Sequence, residues 1–337
     1  KNNLPTIVAA EQELMKANSF NTYFQSVFTA DNDKHTSLLF WGKNLSALSL
    51  PLLSEPGLLS LLLNIDGKKS SGPDGIPNAF LKRYAESVCK YLFLILSKSL
   101  EDCQVPSEWK ITKVLPIHRS GDSSCPSNYR PISITCTFCK MLEHIIVQFL
   151  TEYVEKNAIL HSNQHGFRRG LSTVTQLVET LHDLANGIND QSQIDVVFLD
   201  LSKAFDRVSY PKLIQKLTSI LGNGPMTKWI ENYLTDRYQF VQYGAHVSDT
   251  VPVLSGVPQG SVLGPMLFLL LINDLADIAD VKIRLFANDC ILCQRIDSYQ
   301  DHLKLDDSLK KVETWCREWQ MKINTEKTVT MSITKKK

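Results

Sequence analysis

Two short apolar runs that lead into carboxylates constrain this chain more than any other feature. Val196-Val197-Phe198-Leu199 is an unbroken run of β-branched and large apolar residues closed by Asp200. Such a run fits a strand buried on both faces. Further on, Ile283-Arg284-Leu285-Phe286 and Ile291-Leu292 flank Ala287-Asn288-Asp289-Cys290, a strand–turn–strand pattern with a polar tip. Taken singly, each carboxylate has an ordinary reading. Asp200 can cap a helix that begins at Ser202 or Lys203, and Asp289 is a favoured turn residue. If the two strands are neighbours, the pair could hold two Mg²⁺ ions for an in-line phosphoryl or nucleotidyl transfer. Spacing alone does not establish that adjacency.

Strand-like and helix-like segments alternate along the rest of the chain, which makes it a mixed α/β, or α+β, protein. Phe20, Phe24, Val27 and Phe28 recur at helical spacing. The pattern fades over residues 29–52, which read as a linker. An apolar stretch over 58–65 is closed by a flexible turn, Gly67 to Gly75, rich in amide donors and lysine. The pattern predicts helices over 79–100, 140–157, 171–189, 211–221, 265–275 and 303–319. It predicts strands over 113–117, 132–134 and 329–333. Residues 229–247 read only as a polar-aromatic stretch, and 255–264 as a glycine-rich turn entering a helix.

Composition removes several function classes. With 43% hydrophobic and 9% aromatic residues the chain is not a disordered tail, and 15 Gly and 14 Pro are too few for a collagen-like repeat. The net charge of +1 announces no nucleic acid or membrane in bulk, so any basic surface must be local. The longest apolar run, residues 266–272, is far shorter than the roughly 18–20 needed to cross a bilayer, and no membrane partner is expected. Eight cysteines at this length point to a reducing compartment rather than a disulfide scaffold. Both ends, Lys1 and the terminal Lys335-Lys336-Lys337, read as cuts through a longer polypeptide.

Six blocks then assemble in order: Gly72-Pro73-Asp74-Gly75-Ile76-Pro77, Asn128-Tyr129-Arg130-Pro131-Ile132-Ser133, Gln164-His165-Gly166-Phe167-Arg168, 198–206 around Asp200, 256–265 around Gln259-Gly260, and Phe286-Ala287-Asn288-Asp289. Together they resemble the reverse transcriptase domain of non-LTR (LINE-type) retrotransposons over roughly residues 20–334. The resemblance implies a right-hand polymerase with fingers and palm, the palm sheet flanked by helices and the thumb absent or truncated. It divides the chain into an N-terminal helical extension and linker (1–55), fingers with the helices leading into the palm (56–190), and palm (191–337). It implies two Mg²⁺ ions, with Mn²⁺ as an in vitro substitute, and as partners an RNA template, a DNA primer, dNTPs and a ribonucleoprotein with the element's own RNA. An intracellular setting, nucleus or cytoplasm, goes with it.

Roles follow residue by residue from the same resemblance. Asp200, Asp289 and the backbone of Leu201 bind metal. Arg119 and Arg130 clamp triphosphate oxygens with their forked donors, joined at the nucleotide by Lys203, Ala204 and Gly260. Gln259 packs beneath the base pair, and Lys327 serves as a general acid near the leaving pyrophosphate. Phe205 is the aromatic gate that leaves no room for a 2′-hydroxyl. Lys68, Lys69, Lys113, Arg168 and Arg169 line a template channel, where binding would be salt-sensitive.

One departure stands out. The family carries Phe/Tyr-Ala-Asp-Asp at the hairpin tip, and this chain has Asn288 in place of the first carboxylate. An amide oxygen can coordinate Mg²⁺ but brings no charge, so the resemblance implies an RNA-directed DNA polymerase impaired at this position. The alternative is a catalytically inactive nucleic-acid-binding relic or domesticated module. The two C-x₂-C pairs, Cys136/Cys139 and Cys290/Cys293, suggest zinc. On a strand, however, positions i and i+3 face opposite sides, so zinc is not assigned.

Overall fold

The computed structural model describes residues 4–30 and 47–335, and of residues 4–10 the backbone alone. Most of the expected linker therefore lies outside the described residues. Four helices precede the first strand: α1 (Leu4–Ser26), α2 (Glu55–Leu63), α3 (Asn78–Arg83) and α4 (Ala85–Glu101). The single helix expected over 79–100 is broken at Tyr84. Leu81, Ala85, Cys89, Leu92 and Leu96 are all buried, so the apolar period runs straight through the break and hides it.

The chain continues as β1 (Ile111–His118), β2 (Tyr129–Ile134), α5 (Thr137–Lys156), α6 (Thr173–Asn189) and β3 (Gln193–Asp200). Then come α7 (Tyr210–Leu221), α8 (Pro225–Leu234), β4 (Arg237–Tyr243), β5 (His246–Val247), β6 (Val251–Val253) and α9 (Gly264–Ile272). The hairpin β7 (Lys282–Phe286) and β8 (Asp289–Ile296), helix α10 (Tyr299–Glu318) and β9 (Val329–Ile333) complete it. The stretch 229–247, which carries no clear period, is α8 followed by β4. Trp229 and Tyr233 stack inside the core at 5.5 Å, and the buried Arg237 guanidinium lies 5.0 Å over the Tyr233 ring. Their polar atoms mask an apolar face.

Two sheets result. In one, β1 pairs antiparallel with β2 and parallel with β4, whose far edge is shared by β5 and β6. In the other, four antiparallel strands run in the order β7-β8-β3-β9. The first sheet joins strands from both sides of the 190/191 division expected from the sequence. α1 is packed onto that sheet through Phe20 and Phe24, which meet Val114, Tyr129 and Val241.

The run 196–199 is covered on both faces, and residues 202–207 beyond it are turn rather than the helix expected after Asp200. On one face Val197 and Leu199 join the main core, built around α9, whose residues 266–272 are all buried. On the other, Ile194 and Val196 pack with Cys293 and with Leu184 of α6. Cys290 sits in the main core and Cys293 in the opposite cluster, so this pair does face two sides of the sheet. A buried ion pair fixes the helix that leads to β9: Lys216 of α7 lies 2.6 Å from Asp274, over the Trp319 ring at 3.6 Å, while Trp315 Nε1 donates to Asp274. Among the described residues no helix is long and apolar enough to cross a membrane.

Candidate active site

β3 and β8 are direct neighbours, and their register sets Asp200 opposite Asp289. Asp200 directs its backbone carbonyl away from β8, to the N–H of Asn324 at 2.8 Å. The Asp200–Asp289 pair is therefore of the type not joined by ladder hydrogen bonds, which brings two side chains on one face close together. Lost hydration and the facing Asp200 hold Asp289 above the usual carboxylate range, with Lys327 opposing.

The loop before β9 closes over this pair. Ser202 N–H donates to Lys322 O at 2.7 Å, and Leu201 bridges Ile323. Because Asp200 turns its carbonyl toward this loop, Leu201 turns its own toward the hairpin side. Asn324 Nδ2 donates to Asp200 Oδ2 at 3.0 Å, and Lys327 Nζ is 3.7 Å from the same oxygen.

The hairpin tip is clipped from behind. Gln164 is fully buried; its Oε1 accepts from Ala287 N–H at 3.0 Å and Gly166 N–H at 2.8 Å, and its Nε2 donates to Ala287 O. Ala287 has φ +52°, disfavoured for a residue with a side chain, so the amide holds the one strained residue next to Asn288. Gly166 is pressed so near that a Cβ there would stand 2.2 Å from Ala287 N.

A cleft of roughly 670 Å³ opens over this floor, within the range of ligand pockets. It gathers Asp200, Leu201, Asn288, Asp289 and Lys327 with Arg119, Arg130, Lys203, Ala204, Phe205, Gln259 and Gly260. Every residue read from the sequence as catalytic, metal-binding or nucleotide-binding is thus in one place. Arg119 follows β1 and Arg130 lies on β2, tied by Arg119 N–H to Asn128 O at 2.9 Å. Lost hydration and the Arg130 charge pull Arg119 below its ordinary value, opposed by Asp206 and Asp200. Burial likewise lowers Lys203, which feels Asp206, Arg119, Lys327 and Arg130. These cations converge on one volume, as a polyanion site requires.

Gln259 is placed by a close approach. Gly260 has φ +118°, and a Cβ there would lie 2.5 Å from Ser133 O, while Ser133 N–H donates to Gln259 O at 2.7 Å. The Gln259 side chain donates to Asp206 Oδ1 at 2.7 Å, and burial raises the Asp206 carboxyl. Phe205 stacks on Phe268 at 4.4 Å and meets Phe167 edge-on at 6.1 Å.

The expected template-channel residues lie outside the cleft. Lys68, Lys69 and Arg169 are exposed. Lys113 Nζ reaches Ser71 O at 3.3 Å and so joins β1 to the lysine-rich turn. Arg168 is held by both oxygens of Glu155 and by the carbonyls of His161 and Gln164, contacts that fix the backbone around it. Asn324, Gln164, Phe167 and Asp206 were given no role from the sequence. Asn324 stands three residues before Lys327, and the other three lie inside quoted blocks, but nothing local says that their side chains turn toward the floor.

The donor set is two carboxylates, a neutral amide and the Leu201 carbonyl, all hard oxygens of the kind divalent cations take. No cluster of three His, Cys, Asp or Glu side chains suited to a metal is formed among the described residues, and position 288 contributes an amide. Paired acids and a set of cations thus line one cleft, a combination chemically able to take a divalent cation and a polyanion.

Comparison with known proteins gives the family. The family described as reverse transcriptase (RNA-dependent DNA polymerase) matches residues 117–337, and the chain belongs to it. It is 30% identical over 97% of its length to a probable RNA-directed DNA polymerase from transposon BS of Drosophila melanogaster, spanning 38% of that protein. It is 27% identical over 83% of its length to the RNA-directed DNA polymerase from mobile element jockey of the same fly, spanning 32%. A Pol polyprotein from the type-1 retrotransposable element R2 of Popillia japonica is 27% identical over 68% of the chain, which spans 33% of it. The chain is a reverse transcriptase domain of the non-LTR retrotransposon kind, covering about a third of these relatives' length.

Proposed function

We propose that this domain is built for RNA-directed DNA synthesis by two-metal nucleotidyl transfer, with Asn288 depressing the rate. The observation that carries the reading is the Asp200–Asp289 register beneath a cleft that also holds Arg119, Arg130, Lys203 and Lys327. β3, β8 and their flanking helices serve as palm, and the β1–β2 hairpin and helices α2 to α5 as fingers. The segments 1–55, 56–190 and 191–337 describe this division along the chain, with β4 to β6 bridging it.

Asp200, Asp289 and the Leu201 carbonyl are the groups that hold Mg²⁺. When bound, the two ions neutralise triphosphate charge and ease loss of the primer 3′-hydroxyl proton. Arg119 and Arg130 orient the triphosphate through paired donors, and Lys203 adds charge in the same cleft. Lys327, 3.7 Å from Asp200, is the group that would give a proton to the departing pyrophosphate. Gln259 and Gly260 support the nascent base pair. Phe205 lies under the sugar, and Ala204 behind it is buried in the core. An RNA template and DNA primer complete the complex, and Lys68, Lys69, Lys113 and Arg169 supply phosphate contacts on the template side. Arg168 contributes by fixing the backbone that carries its neighbour.

Asn288 supports a second reading, a module that binds nucleic acid without extending it. Its Nδ2 lies 3.4 Å from Asp289 Oδ1, so a donor stands where a charged metal ligand is wanted. Primer extension on an RNA template with Mg²⁺ and dNTPs separates the two readings. The unaltered chain is expected to be nearly silent, Asn288→Asp to extend, and Asp200→Ala in that background to be silent again. Efficient extension by the unaltered chain would show that the amide is tolerated. Silence from Asn288→Asp, with template bound and the protein folded, would leave the binding module.

A further inference from the structure

Phe167 is left 58% exposed in the wall of the cleft, on a backbone held at φ +55°. That conformation is disfavoured for a bulky residue and persists only where its surroundings over-determine it. Both neighbours do so here. Gly166 is pressed against Ala287, and Arg168 is gripped by Glu155, His161 O and Gln164 O. The ring is therefore presented to the cleft by design of the chain around it, and on the same segment that clips the tip bearing Asp289.

What it meets is Phe205. The two rings stand 6.1 Å apart with their planes at 81°, while Phe268 stacks on Phe205 at 4.4 Å and 19°. Phe205 thus has two ring neighbours, Phe268 in the core and Phe167 in the cleft wall. A ring with two such neighbours has fewer ways to swing aside when a larger sugar arrives than a ring with one.

We propose that Phe167 is a specificity-determining residue, the second wall of the sugar pocket, which holds Phe205 in place so that nucleotides lacking a 2′-hydroxyl are selected by a pair of rings. The proposal rests on the reading of the cleft as a dNTP site.

The test is equilibrium binding of dATP and ATP to the full chain, assembled with Mg²⁺ on an RNA template and a dideoxy-terminated primer so that no chemistry is needed. Phe167→Ala is expected to narrow the deoxy-over-ribo preference about tenfold or more, a change of the size pocket contacts produce, with dATP affinity held within about threefold. Phe167→Tyr, which keeps the ring, should restore the preference, and unaltered thermal unfolding of Phe167→Ala would exclude a folding defect. An unchanged preference in Phe167→Ala overturns the proposal and leaves the cleft reading standing. Equal weakening of both nucleotides overturns it too, and makes Phe167 a base-stacking surface. A parent chain that binds neither nucleotide, or does not prefer dATP, removes the cleft reading and the proposal together.

Discussion

Asp200 and Asp289 stand at the ends of paired strands, fixed by register, by Asn324 and by the buried Gln164 clip. Arg119 and Arg130, across the cleft, are exposed side chains beside a turn, and among the described residues neither guanidinium makes an ion pair. The acidic floor is positioned by the fold, whereas the cationic wall is only presented by it. On the function proposed above, the difference follows from what each would hold. A divalent ion tolerates little error in its oxygens, so its ligands need a rigid frame. A triphosphate is large and flexible, and long cationic side chains can close on it after it arrives.

The floor is the place where single atoms should matter most. Replacing the Asn288 amide by a carboxylate is expected to raise the extension rate by about 10²–10³, roughly 3–4 kcal/mol of barrier, the size of one transition-state electrostatic group. Single-turnover rates of Asn288→Asp against the unaltered chain give the number directly. A gain of only a few fold would mean that the floor lacks more than one charge.

Next in size is the clip. Gln164→Ala strands the N–H groups of Gly166 and Ala287 in a buried place, at a cost of about 2–3 kcal/mol, visible as a lower urea midpoint with unchanged slope. If stability is untouched, the tip is held by its own strands and the frame is less rigid than the contacts suggest. Phe205→Val should come third, at about 1–2 kcal/mol of stability from the lost stack on Phe268. The same variant should raise ribonucleotide incorporation in the Asn288→Asp background, and unaltered sugar discrimination there would remove Phe205 from the gate.

The floor was also the more legible region. Val196 to Asp200 and Phe286 to Asp289 announce a buried strand and a hairpin because burial on both faces restricts composition so strongly. Their pairing was not legible, since antiparallel register between segments some 90 residues apart leaves no local trace. Most helices could be read from periodicity for the same reason of burial, whereas the C-terminal strand, largely exposed, was read from its β-branched composition alone. α8 and β4 could not, because Arg237, Tyr233 and Trp229 bury their polar atoms with their apolar ones. Arg130 came through a family block, and Arg119 through the family's expected fingers, rather than through physics, because an arginine at a turn is by itself an ordinary surface residue. Asn324 and Gln164 escaped notice because an amide's partners are set only by tertiary contacts.

Arg130→Ala sharpens the contrast by the smallest effect of the set. Its guanidinium is exposed and unpaired among the described residues, so the unfolding free energy should move by no more than about 0.5 kcal/mol. Nucleotide affinity should nevertheless fall by about tenfold, the worth of one charge-assisted contact, and the loss should shrink as salt is raised because an exposed charge is screened. The two readings pull apart here as they cannot at the floor, where every substitution disturbs both frame and chemistry. A Phe205 or Gln164 variant that loses activity has also lost packing. An Arg130 variant that keeps its stability and loses nucleotide locates the binding energy in the wall itself. If instead Arg130→Ala unfolds more easily, the β1–β2 hairpin depends on that side chain, and the wall is as much a part of the frame as the floor.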